Sequence, residues 1–193
     1  GSWRTPEEAA SAKELKPLIV CEGVEDGLIA APLFPDKPVW AARGYAILRP
    51  NYRGSSGYGN PFYRQPVGGY FKNSHLDVIA GIDRIVSMGI ADPDRLAMTG
   101  WSAGAHLVNK LITFTTRFKA ASSGAGVANW ISLYGTSDNR YDRDIWFGGT
   151  LWQKHAPIST YWDHSPLKYV TAARTPTIFF SGAEREAMML YPL

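Results

Sequence analysis

Residues 100–104 read Gly-Trp-Ser-Ala-Gly, and their flanks restrict how the segment can fold. An apolar, strand-like run, Arg95-Leu96-Ala97-Met98-Thr99, leads into them. A helix-like run, Ala105-His106-Leu107-Val108-Asn109-Lys110-Leu111-Ile112, leads out. G-x-S-x-G between a strand and a helix is a nucleophile elbow, a tight turn that lifts the serine hydroxyl to the tip of a sheet in a strained backbone geometry. Gly100 and Gly104 are expected to be glycine because a side chain at either would collide across the turn. The helix behind Ser102 points free N–H groups and positive potential at it, which favours a developing oxyanion.

The rest of the chain alternates strand and helix. Residues 17–21 read as a buried strand, and residues 39–43 as the end of a helix closed by Gly44. Residues 45–49 form the next strand, stopped by Pro50. Residues 73–88 read as an amphipathic helix: Leu76, Ile79, Ile82 and Val86 recur at three- and four-residue steps, and Gly89 closes it. Asp92-Pro93-Asp94 predicts a turn before the strand that delivers Ser102. Residues 119–123 and 176–180 are two further strands. This alternation predicts an α/β fold of parallel strands with helices on both faces. Ligands then sit beyond the carboxyl ends of the strands, where Ser102 lies. Residues 126–172 break the rhythm and hold Trp130, Tyr134, Tyr141, Trp146, Trp152, Tyr161 and Trp162. They are expected to form an aromatic-rich insertion over the sheet, between the last two strands. Its rings form either a small core of their own or the lining of a substrate pocket.

The chain's 193 residues suffice for one domain with a substantial core, and 45% hydrophobic against 19% charged residues marks it as globular. The net charge of +3 comes without a Lys/Arg run or a basic helix face, which argues against nucleic acid as a partner. Cys21 is the one cysteine, so no intrachain disulfide forms; with no motif around it, it reads as a buried thiol. No apolar run approaches membrane-spanning length, and no signal peptide opens the chain. Gly1-Ser2 reads as a remnant of tag cleavage, which leaves the location open. The sequence implies no cofactor and no metal.

Arg49-Pro50-Asn51-Tyr52-Arg53-Gly54-Ser55-Ser56-Gly57-Tyr58-Gly59 resembles the N-Y-R-G-S-x-G-Y-G signature of the prolyl-oligopeptidase family of serine peptidases. Asp77 and Asp83 sit in the helix that follows the signature in that family. Asp92-Pro93-Asp94-Arg95 and the Gly100–Gly104 turn match its approach to the nucleophile. Ser165-Pro166-Leu167 and Thr175-Pro176-Thr177-Ile178-Phe179-Phe180-Ser181-Gly182 are similar to its S-P-L…T-P-x-L-x-x-x-G segment. The resemblance holds in order from about Pro17 to Gly182. It implies an α/β-hydrolase fold, with residues 1–193 as a single, partial domain. It also implies acyl transfer: Ser102 attacks a peptide or ester carbonyl, and the N–H of Ala103 supplies one oxyanion donor.

Three departures accompany the resemblance. The family's H-G-G-P loop, source of the second oxyanion donor, is replaced by Glu22-Gly23-Val24-Glu25-Asp26-Gly27, with Gly23 as the stand-in. The family's acid follows the strand at residues 178–180; here the chain reads Gly182-Ala183-Glu184-Arg185-Glu186, and Glu184 takes the acid's part. The family's histidine follows the acid, whereas no histidine follows His164 here. His106 is expected to face the sheet packing, His75 opens a helix, and His155 and His164 lie in the aromatic segment. Counted along the hydrolase sheet, the chain holds the third to seventh strands and lacks the C-terminal strand and helix, so it reads as truncated. Uncovered sheet edges would then pair copies of the chain into an oligomer. Two functions compete: a serine peptidase or esterase of small peptides or esters, and an incomplete relative that keeps the scaffold without the Asp and His of the triad. A third, an interaction module built on the aromatic segment, rests on Trp and Tyr density alone.

Overall fold

The computed structural model describes residues 15–22, 37–137, 140 and 143–181. Five strands form one sheet: β1 (Lys16–Glu22), β2 (Ala46–Leu48), β3 (Ala91–Trp101), β4 (Phe118–Gly124) and β5 (Thr177–Phe180), in the order β2-β1-β3-β4-β5. Every neighbouring pair is parallel. Parallel neighbours cannot be closed by hairpins, so the connections carry helices. These are α1 (Lys37–Ala42), α2 (Asn60–Tyr63), α3 (Ser74–Ser87), α4 (Ala103–Phe114), α5 (Trp130–Thr136), α6 (Arg143–Phe147) and α7 (Ile158–Asp163), then a 3₁₀ helix at Pro166–Ala172. The parallel α/β architecture expected from the strand–helix alternation is present. Among the described residues no helix is long and apolar enough to cross a membrane.

β3 lies at the centre of the sheet, between β1 and β4. Leu18 and Val20 of β1 and Leu96 and Met98 of β3 are buried beside one another, each contributing about 1.5–3 kcal/mol by leaving water. Asp92-Pro93-Asp94, expected as a turn before the strand, instead lies inside β3 as a bulge. Ala91 already pairs with Lys16, and the register then shifts so that Leu96 meets Leu18. The extra residues bulge outward, held by the Asp94 N–H donating to Asp92 Oδ1 at 2.9 Å.

α4 is buried on nearly every side, with Ala105, Leu107, Val108 and Leu111 fully enclosed, as befits a helix packed between sheet and covering helices. α3 is amphipathic, but its buried face is rotated from the apolar spacing. His75, Val78 and Ile82 are buried while Leu76 is exposed. The rotation has a polar cause. Asp77 and Ser74, one turn apart, both grip Arg53, and this turns Leu76 outward. The helices between β4 and β5 are tied together by one hydroxyl. Ser165 Oγ, fully buried, accepts the Trp130 N–H at 2.9 Å and donates to the Tyr161 carbonyl at 2.8 Å. Asn129 caps α5 by accepting the Ile131 N–H at 3.0 Å.

Candidate active site

Gly100 sits where β3 meets α4. A Cβ there would lie 2.5 Å from the Gly104 carbonyl carbon and 2.8 Å from the Ala105 amide nitrogen. Both are backbone atoms of the helix's first turn and cannot step aside, so the approach requires glycine. After Trp101 the chain turns at Ser102, with φ 56° and ψ −119°. Such a conformation costs a non-glycine residue on the order of 1–3 kcal/mol and persists only where its surroundings hold it. Two backbone hydrogen bonds do so. The Ser102 N–H donates to the Gly124 carbonyl at 2.9 Å, and the Ser102 carbonyl accepts the His106 N–H at 3.0 Å.

Ser102 is thereby the N-cap residue of α4, yet its hydroxyl makes no capping bond and the residue is exposed. Ala103 follows as the first helical residue and is 8% exposed. Its N–H has no partner within the helix, and it stands at the positive end of the helix dipole. A carbonyl placed on Ser102 Oγ would develop negative charge beside that end, the arrangement an acyl-transfer site needs.

The signature segment at Arg49–Gly59 is tied to α3. The Arg53 guanidinium forms a fork on Asp77, Nε to Oδ2 at 2.7 Å and Nη2 to Oδ1 at 2.5 Å, and the Arg53 N–H donates to Oδ2 at 2.9 Å. Partial burial opposes ionisation of Asp77, but these bonds outweigh it and hold its carboxyl below the usual range. Tyr52 is buried against Phe71, which has a φ of 56°. Lys110 of α4 donates to the Phe71 carbonyl at 2.6 Å and the Lys72 carbonyl at 3.1 Å, anchoring this strained stretch to the elbow's helix. Burial lowers the Lys110 amine to about 8. These tertiary supports went unread in the sequence, except that Asp77 lies in the helix after the signature.

Three of the four histidines are engaged elsewhere. His106 is fully buried among Phe71, Trp130 and Tyr70. Burial lowers its pKa to about 3, so the ring is neutral and its Nδ1–H donates to the Val127 carbonyl at 2.9 Å. His75 packs edge-on to Phe114 and is lowered to about 4, chiefly by burial. His164 donates from Nδ1 to the Thr160 carbonyl at 2.7 Å, and burial lowers it as well. His155 is exposed with a φ of 61°. Gly23, Glu184 and the side chain of Cys21 lie outside the described residues. The backbone brings the strands that lead to the first two close by: Glu22 pairs with Gly100, and Phe180 pairs with Gly124. Of the aromatic residues after β4, Trp130, Tyr134, Phe147 and Tyr161 join the main core, whereas Trp152 is exposed.

Residues 34–187 match the model of the prolyl oligopeptidase family, Peptidase_S9. This chain belongs to the prolyl oligopeptidase family. It is 36% identical over 154 residues to an uncharacterized peptidase of Bacillus subtilis, YuxL, covering 77% of this chain and 22% of that protein. It is 31% identical over 151 residues to an acylamino-acid-releasing enzyme of Arabidopsis thaliana, covering 73% of this chain and 19% of that one. Among solved structures it resembles a puromycin-hydrolyzing peptidase of Mycobacterium tuberculosis, with a TM-score of 0.75 and 29% identity over 88% of this chain and 26% of the other. It also resembles an acylaminoacyl peptidase of Pyrococcus horikoshii, with a TM-score of 0.74 and 26% identity over 86% and 27%. The fold is that of the α/β hydrolases. The chain spans about a fifth of the length of these curated relatives and about a quarter of these solved chains.

Proposed function

We propose that this chain carries the nucleophile of a serine hydrolase that cleaves small peptides or esters. The observation that carries this reading is Ser102: exposed, held at φ 56° on the elbow, with the first N–H of α4 beside it. Ser102 Oγ attacks the carbonyl carbon, and the tetrahedral oxyanion is met by the Ala103 N–H. Collapse breaks the carbonyl C–N or C–O bond, the amine or alcohol leaves with the proton that the Ser102 hydroxyl gives up, and water then hydrolyses the acyl-enzyme to release the acid and restore the hydroxyl. Gly23 is the candidate second donor and Glu184 the candidate acid. Similarity to a puromycin-hydrolyzing peptidase and to acylamino-acid-releasing enzymes supports an amide or ester of modest size as substrate.

A second reading is a scaffold that keeps the elbow without its base. It is supported by the histidines: His106 and His164 spend Nδ1 on backbone carbonyls, and His75 is buried under Phe114. One experiment separates the two. A fluorophosphonate probe is expected to label the parent chain at Ser102, and Ser102→Ala to abolish both labelling and turnover of short acyl esters. A parent chain that resists the probe and matches Ser102→Ala on esters overturns the hydrolase reading in favour of the scaffold.

Among the described residues β5 is a sheet edge, and Ile178, Phe179 and Phe180 are all exposed on it. That edge supports pairing between copies of the chain. Sedimentation at tens of micromolar is expected to show a concentration-dependent dimer, and a monomer throughout would overturn the pairing.

A further inference from the structure

We propose that Gly124 is a positioning residue for Ser102, acting through its carbonyl and through its lack of a side chain. For its chemical readout this rests on Ser102 being a nucleophile. The end of β4 carries three observations. First, the Gly124 carbonyl accepts the Ser102 N–H at 2.9 Å, so it holds the strained residue from the neighbouring strand. Second, the Trp101 indole lies against the face of Gly124; a Cβ there would come within 2.5 Å of Trp101 Cζ3 and 3.3 Å of Cδ2. Third, the next residue, Ala125, takes φ 57° and donates its N–H to the Phe180 carbonyl at 2.8 Å.

These contacts make Gly124 the link between the elbow and β5. Trp101 is paired with it in register and is bonded directly to Ser102. The indole is 41% exposed, so it can move when pushed. Moving it turns the peptide that enters Ser102, and with it the N–H that Gly124 holds. A methyl at position 124 therefore acts on the serine through two routes at once, without touching any substrate. Gly100 fails differently: there the collision is with backbone that cannot move.

The test uses the full chain. Gly124→Ala is expected to slow fluorophosphonate labelling of Ser102 by roughly tenfold to a hundredfold, the cost of a misplaced reacting group, while the melting transition survives. Trp101→Ala removes the ring that the new methyl would strike. The double variant is therefore expected to label at the rate of Trp101→Ala alone. A second readout does not depend on chemistry. The Ser102 amide, followed by isotope-edited NMR, is expected to be protected from exchange in the parent and in the double variant, and unprotected in Gly124→Ala. The proposal is overturned if Gly124→Ala labels at the parent's rate with its Ser102 amide protected, or if removing the indole restores neither readout. If the parent itself is not labelled, the hydrolase reading fails, and the amide series alone upholds or overturns the role of Gly124.

Discussion

Two turns lie side by side at the carboxyl ends of neighbouring strands, one after β3 and one after β4, and they are built alike. Each places a non-glycine residue at positive φ, Ser102 at 56° and Ala125 at 57°. Each passes a hydrogen bond to the next strand along the sheet, Ser102 to Gly124 and Ala125 to Phe180. They differ in what encloses them. The β3 turn is clamped by backbone, at Gly100 against Gly104 and Ala105. The β4 turn is enclosed at Gly124 by a partly exposed indole, and at Gly126 by the Ala105 methyl and backbone. Rigid enclosure suits the turn that must hold a strained serine. In the β4 turn the wall is movable at Gly124, where it is a side chain, and rigid at Gly126, where it is the Ala105 backbone.

The largest effect is expected where the wall is rigid. Gly100→Ala forces a Cβ into the first turn of α4, and strand and helix must separate to admit it. A cost of about 3 kcal/mol or more is expected, at the upper end for an overpacked site, together with loss of Ser102 labelling. Urea denaturation measures the first and the fluorophosphonate probe the second. A variant within about 0.5 kcal/mol of the parent, the range of neutral surface changes, would show that the elbow yields as readily as the β4 turn and would end the comparison.

The elbow was legible in the sequence because its requirement is local and steric: glycine where Gly100 faces Gly104, and apolar runs on either side. Four of the five parallel strands were legible for a similar reason, since their runs are apolar and bounded by Gly or Pro, whereas Lys119-Ala120-Ala121-Ser122-Ser123 offers little apolar signal. What went unread depends on partners distant in sequence. Arg53 meets Asp77 across 24 positions, and Lys110 meets Phe71 across 39. The face of α3 was misjudged because apolar spacing gave a stripe through Leu76, whereas the grip of Ser74 and Asp77 on Arg53 set the rotation. Asp92-Pro93-Asp94 shows the same limit on a smaller scale: residues that read as a turn form a bulge, because pairing of Ala91 with Lys16 carries the strand past them. Of the candidate site, Ser102 lies at the turn from β3 into α4 and Ala103 opens the helix, while Gly23 and Glu184 fall outside the described residues.

A middle-sized effect sharpens the comparison through pH, because His106 joins the two turns. It lies one helical turn after Ser102 and donates to Val127, just beyond the β4 turn. Its pKa is lowered by burial from 6.5 to about 3, and that of His75 to about 4. The unfolded chain therefore takes up protons below 6.5 that the folded chain refuses. Stability present above that value is lost as pH falls, at up to about 1.4 kcal/mol per pH unit for each group. Thermal melts from about pH 7 to about pH 4.5 should show this decline. In His106→Asn, whose amide can still donate to Val127, the overall stability is lower but the slope should be shallower. A slope equal to the parent's would mean that acid acts elsewhere and that His106 does not couple the turns.

The smallest expected effect falls on Ala125, and its sign is the informative part. An L-residue in the left-handed region costs about 1–2 kcal/mol, whereas glycine adopts it freely but adds entropy to the unfolded chain worth about 0.4–1 kcal/mol. The methyl of Ala125 is buried but small. Ala125→Gly should therefore be slightly stabilising, by about 0.5 kcal/mol, with Ser102 labelling unchanged because the Ala125 N–H still reaches Phe180. The same substitution at Ser102 would relieve similar strain and remove the reacting group. A destabilised Ala125→Gly would show that the β4 turn draws on its methyl for packing more than it suffers from its φ, so that its likeness to the elbow would be one of angle alone.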